Sequence, residues 1–239
     1  MRPDWIVPDW PAPAGIRAIS TTRSGGHSRG PYRSLNLGDR CGDDPRAVQR
    51  NRERLASALP EAPNWLKQVH GKRVVRHGEA AASSCEADAV LAWEPEAVCA
   101  VMTADCLPVL FCSRQGDRVA AAHAGWRGLA AGVLPATVSA LDSPPGELLA
   151  WLGPAIGPAR YEVGREVAEA FSGGYAEAFR PSGERWLMDL YAIARIQLRH
   201  CGLEAIYGGE FCTYSEPDRF FSHRRDGATG RMASLVWRE

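Results

Sequence analysis

Between Ala87 and Trp126 the chain passes through four strand-like stretches, ADAVLAW, AVCAVMTADC, PVLFC and DRVAAAHAGW, before any helical period appears. Runs this apolar, rich in Val, Ala, Leu and Cys, belong to a sheet covered on both faces. Strands outnumber helices along the chain and do not alternate with them regularly. That excludes a doubly wound nucleotide-binding fold and predicts an α+β class with mixed or antiparallel sheets. Asp105 interrupts the second stretch, next to Cys106. A carboxylate inside such a run costs several kcal/mol unless a charged or polar group satisfies it. Either the strand ends there or a site lies beside it.

The other elements follow from spacing and punctuation. Residues 1–14, broken by Pro3, Pro8, Pro11 and Pro13, read as an extended N-terminal arm, and IRAISTTR as a strand. The segment 24–39, rich in Gly and Ser, is a loop of a length usually kept for function. Asp44-Pro45 opens a helix with Val48, Leu55 and Leu59 on one face. NWLKQVHGKRVVRHG suggests two short strands around Gly71, and RGLAAGVLPATVSAL one helix. ELLAWLGPAIG reads as strand then turn, and GREVAEAF and DLYAIARIQLRHCG as helices. The C-terminal segment 219–237 suggests a hairpin around Asp226-Gly227. At 239 residues, with no repeat or low-complexity linker, the reading is a single domain over 1–239.

The formal net charge is zero, so no field attracts nucleic acid or an anionic membrane. The N-terminus carries no signal peptide, and no apolar run approaches the ~18 residues of a membrane span. The seven cysteines contain no C-x-x-C pair, which favours reduced thiols and a cytoplasmic protein. No heptad pattern marks a coiled-coil dimer, so a monomer is favoured.

His70, Cys106 and His123 each stand where an apolar run gives way to a turn. Two imidazoles and a thiolate suit zinc with an open fourth position. The three are 36 and 17 residues apart, so no local motif joins them. Hydrogen-bonded structural histidines and a small buried thiol remain the plainer alternative. A thiol hydrolase with Cys106 as nucleophile is a further one. His27, His77 and His200 read as loop or surface histidines, while His223 adjoins Arg224 and Arg225, which suit a solvated face or an anion.

Taken together, TTR at 21–23, SLNLG at 34–38, KQVHG at 67–71, ADAV at 87–90 and TADCLPVL at 103–110 resemble the YfiH family. AAHAGWRG at 121–128, GPAIGPARYEVG at 153–164 and FFSHRRDGATGRMA at 220–233 extend the resemblance over nearly the whole chain. The family is also called laccase-domain or multicopper polyphenol oxidase-like. The resemblance implies a layered α/β/β/α sandwich, with His70, Cys106 and His123 as metal ligands and catalytic centre. Asp105 would mark the strand end at that pocket and orient a ligand or a substrate hydroxyl. The activity implied is phosphorolysis of adenosine, inosine, guanosine and methylthioadenosine, together with adenosine deamination. The partners are then a small-molecule nucleoside and phosphate. Arg23, Arg127, Arg224 and Arg225 are candidates for the phosphate, and Asn36 joins them as a substrate-binding candidate.

A peptidoglycan-editing branch of the family suggests instead an amidase acting on UDP-MurNAc carrying L-serine. A multicopper oxidase needs more histidines than the six present. A single copper at the zinc site, giving polyphenol oxidation in vitro, is compatible with the His₂Cys set.

Overall fold

The computed structural model describes residues 4–79, 85–171 and 173–239. In chain order the first elements are β1 (Ile16–Ser20), α1 (Pro45–Ala56), β2 (Val74–Arg76), β3 (Ala89–Ala92), β4 (Cys99–Thr103), β5 (Leu107–Ser113) and β6 (Val119–Ala124). There follow α2 (Trp126–Ala131), α3 (Val133–Ala140), β7 (Leu148–Leu152), β8 (Glu162–Val163), α4 (Arg165–Glu169), β9 (Phe179–Ser182) and β10 (Arg185–Met188). The last are α5 (Leu190–His200), β11 (Ala205–Gly208), α6 (His223–Asp226) and β12 (Met232–Arg238).

A six-stranded mixed sheet, β11-β7-β5-β6-β3-β2, forms the centre. Its core pairs are antiparallel, and each edge strand runs parallel to its neighbour. A three-stranded antiparallel sheet, β1-β12-β4, packs on one face through Val90, Leu110, Val119, Ala121 and Trp151 against Ile16, Val101 and Val236. The other face buries Leu91, Val109, Phe111 and Leu152 against Leu129, Leu134, Ile193 and Leu198 of the helical layer. α1 covers the outside of the three-stranded sheet, with Leu55 against Val98, Ala100 and Leu235. Four layers result, α/β/β/α, as expected. The central sheet is covered on both faces, which is why every residue of β5 and β6 is buried. A small third sheet, β8-β10-β9, extends the helical side. The N-terminal arm is tied down, with Ile6 bridged to Ser20 of β1. Among the described residues no helix is long and apolar enough to cross a membrane.

Four local expectations are corrected. Segment 127–141 is two helices, because Gly132, at φ 88°, ends α2 in the left-handed region and starts α3. Around Gly71 only β2 is a strand, and Lys67 contributes an isolated bridge to Glu86. The C-terminal hairpin does not form. Ser222 caps the four-residue α6, and β12 finds its partners in β1 and β4. His77, read as a loop or surface histidine, lies in the turn after β2 and is buried there.

Candidate metal centre and its cavity

The centre lies where β6 ends and β5 begins. His123 shares the face of Val119 and Ala121 along β6, one step nearer the strand's end. Cys106 immediately precedes β5, and Asp105 before it has φ 98°. His70 stands in the loop before β2 with φ 59°. Left-handed backbone at a residue other than glycine costs on the order of 1–3 kcal/mol, and surrounding contacts must hold it there.

Those contacts come from two aspartates. Asp88, fully buried, accepts hydrogen bonds from the backbone N–H groups of Val69 (3.2 Å), His70 (2.9 Å) and Gly71 (2.7 Å). It also accepts from His123 Nδ1 at 2.8 Å. One carboxylate therefore sets the loop carrying His70 and leaves Nε2 as the free nitrogen of His123. Asp105 accepts from Thr213 Oγ1 (2.7 Å) and from the backbone N–H of Arg224 (2.6 Å). Its own carbonyl accepts from Ile156 N–H at 2.9 Å. Asp105 thus fixes the turn that presents Cys106.

The donor atoms of His70, Cys106 and His123 lie within 4.8 Å of one another, with Cys106 Sγ 3.8 Å from His70 Nε2. Tetrahedral zinc bonds of 2.0–2.3 Å place N and S donors about 3.5 Å apart, so the spacing fits such an ion. Gly125 keeps the centre open to closure by its ligands. A Cβ there would lie 2.9 Å from both Cys106 Sγ and His70 Cδ2.

The charges agree with a metal-ligand set. Burial opposes ionisation of Cys106, but His123 and His70 outweigh it and bring the thiol down to about 6. Burial likewise opposes charge on His123, yet Cys106 and Asp88 raise it to about 9. For Asp88, burial is again overcome, by His123 and the backbone N–H groups, and the carboxyl lies below its usual range.

The centre opens into a cavity of about 470 Å³. Trp65, Leu66 and Met102 give it an apolar wall, and Arg40, Arg127 and Arg231 also line it. Gln68 braces that wall, its amide donating to Met102 O and accepting from Met102 N–H, both at 2.8 Å. Of the residues expected from sequence, His70, Cys106, His123 and Arg127 share this cavity. Arg23 donates to the carbonyls of Arg33 and Pro217. Arg225 donates to the carbonyls of Thr213, Tyr214 and Phe220 and pairs with Asp226. Arg224 lies over the Tyr161 ring and donates to Glu162 O. Asn36 is fully buried and bonds to its own loop and to Arg231 N–H.

Sequence reasoning missed Asp88, Arg40 and Arg231 as members of the site. Asp88 carried a signal, since it is a carboxylate inside an apolar run like Asp105; the two arginines carried none.

The comparisons agree with this geometry. Residues 17–239 match the family model described as multi-copper polyphenol oxidoreductase laccase. The chain belongs to that family. Among its relatives, a purine nucleoside phosphorylase of Pseudomonas aeruginosa is 57% identical, covering 98% of each chain. The purine nucleoside phosphorylase YfiH of Escherichia coli is 56% identical over 97% of this chain and 98% of its own. A solved protein of Neisseria meningitidis superposes with TM-score 0.96 at 51% identity over 99% of each chain. YlmD of Geobacillus stearothermophilus does so with TM-score 0.91 at 33% identity, over 100% of this chain and 97% of that one. Members of a family so described would need several copper sites for laccase chemistry. In this member the described residues hold one His/Cys cluster, which suits one ion.

Proposed function

We propose that the protein is a cytoplasmic, zinc-dependent purine nucleoside phosphorylase acting on adenosine, inosine, guanosine and methylthioadenosine, with adenosine deamination as a second activity. The observation that carries this reading is a His₂Cys cluster opening into a cavity lined by an apolar wall and three arginines. The names of its relatives support it.

His70, Cys106 and His123 hold the ion, with Asp88 fixing the two histidines. When bound, zinc supplies Lewis acidity and lowers the pKa of a coordinated water to about 7; copper is a competing occupant of the same donor set. Trp65, Leu66 and Met102 offer the purine an apolar surface, and the arginines offer phosphate its counter-charge. In phosphorolysis a phosphate oxygen bonds to C1′, the glycosidic bond to N9 breaks, and N9 takes up a proton. In deamination water oxygen replaces nitrogen at C6, and ammonia leaves.

The test is chromatographic. Zinc-loaded protein is incubated with adenosine with and without phosphate, beside Cys106→Ala. Adenine and ribose 1-phosphate are expected only with phosphate and only from the unmutated protein. Inosine in both samples adds deamination. No free purine base, adenine or hypoxanthine, and no ribose 1-phosphate under either condition overturns the phosphorylase reading.

A further inference from the structure

Three arginines, Arg40, Arg127 and Arg231, line one cavity in a protein whose formal net charge is zero. The acidic groups nearby are already engaged. Asp39 Oδ1 lies 3.4 Å from Arg52 Nη2, Glu86 pairs with Lys67, and Asp43 accepts from Asn36 Nδ2 at 2.9 Å. Arg40 and Arg127 are exposed and have no acidic partner among the described residues. Arg127 stacks on Trp126, 4.3 Å from its ring centroid. Arg231 is half-buried and, among the described residues, its side chain commits only Nη1, which donates to the carbonyls of Thr229 (3.0 Å) and Gly230 (2.9 Å). Its Nε and Nη2 are left for another acceptor.

A single buried side chain joins the segments that carry Arg231 and Arg40. Asn36 Oδ1 accepts from the N–H of Gly38 (2.9 Å) and of Arg231 (2.8 Å), while its Nδ2 donates to Gly38 O at 3.2 Å. Gly38 then lies directly on the Arg231 side chain. A Cβ at 38 would come within 2.7 Å of Arg231 Cγ. This clamp holds the 38–41 loop and the start of β12 side by side at the cavity, next to the centre built from His70, Cys106 and His123.

We propose that Arg40, Arg127 and Arg231 form the oxyanion subsite of the cavity, that its ligand is inorganic phosphate, and that Asn36 is the residue positioning it. Planar, rigid donor forks match the geometry of a tetrahedral oxyanion and resist exchange for lysine. The inference rests on the phosphorylase reading for its ligand but assigns the anion to residues different from most of those the sequence suggested.

The experiment combines calorimetric titration of inorganic phosphate into metal-loaded protein with initial rates at varied phosphate and saturating nucleoside. Arg231→Gln is expected to raise the phosphate KM about tenfold or more and to weaken phosphate binding in parallel, with the nucleoside KM within about twofold. Arg231→Lys keeps the charge without the fork and falls between. Asn36→Ser moves the phosphate KM in the same direction and leaves the nucleoside KM, a split that a general loss of folding would not produce. If Arg231→Gln fails to fold, the exposed Arg40→Gln and Arg127→Gln variants decide. Phosphorolysis with an unchanged phosphate KM in all variants overturns the subsite and leaves the phosphorylase reading standing. Arginine-dependent phosphate binding without release of ribose 1-phosphate supports the subsite and removes that reading. No measurable phosphate binding or turnover in the unmutated protein overturns both.

Discussion

Burial works against a charged Cys106, yet its neighbours His123 and His70 draw the thiol down to about 6. Cys112 is also buried, but its one cationic influence, Arg114, is too weak, and burial pushes it up to about 12. The sign follows from the direction of each shift. A depressed thiol contributes stability above its unfolded value and loses it as pH falls through about 6. The raised His123 contributes below its unfolded value and loses it as pH rises through about 9. In chelator-treated protein the thiolate–imidazolium pair therefore occupies the window from about pH 6 to 9. Alkylation of Cys106, followed by mass spectrometry, is expected to level off by about pH 7.5, when a thiol near 8.5 is still gaining reactivity. A rate still climbing through pH 9 would contradict the pairing. At this scale the three donors were legible because motif resemblance picked them out; their spacing alone left alternatives open. Asp88 shows what local reading lacked. Its carboxylate is informative only once β3, pairing with β2 and with β6, brings the partners at 69–71 and 123 to it. Arg40 and Arg231 sit 191 residues apart, and their segments meet through Asn36, the Leu37 N–H to Arg231 O bond and the close approach of Gly38.

Elements were readable wherever one residue both starts or stops them and sets their conformation. Asp44 accepts from Arg46 N–H ahead of Pro45, as the sequence predicted, and Asp189 caps α5 in the same way by accepting from Ala192 N–H. Gly132 is the instructive exception, because the apolar period runs on through it while the backbone reverses into the left-handed region. Nothing lies within 4 Å of a Cβ built there, so Gly132→Ala changes backbone strain without a clash. The expected loss is about 1–2 kcal/mol. Thermal unfolding of the metal-free protein should show a lower Tm; an unchanged Tm would mean that the α2–α3 junction relaxes freely. The failed C-terminal hairpin has a similar origin. Asp226-Gly227 does turn the chain, but β12 pairs in register with Ile16–Ser20, more than 200 residues away in sequence. Turn chemistry cannot report a partner at that distance.

For the molecule as a whole, the apolar runs made the doubly covered sheet legible, and the layering came with it. The order of strands did not, since β11-β7-β5-β6-β3-β2 combines local hairpin pairs with two parallel edges. An ion held by His70, Cys106 and His123 ties three separate segments of this assembly together. Zinc loading is therefore expected to raise Tm, with a gain of ~2.7 kcal/mol at a free metal level one hundred times Kd. Equal Tm in chelator and in zinc, with metal shown to be bound, would count against that tie. The route to the finished centre has an order in time. Asp105, which sets the Cys106 turn, takes its partners from Thr213 and Arg224, 108 and 119 residues further on. A nascent chain therefore carries Cys106 long before the groups that fix its turn have been synthesised, whereas Asp88, which sets the His70 loop, follows His70 by only 18 residues. The centre is completed only near the end of translation, and a chain truncated before residue 213 carries His70, Cys106, His123 and Asp88 without the partners that fix the Cys106 turn.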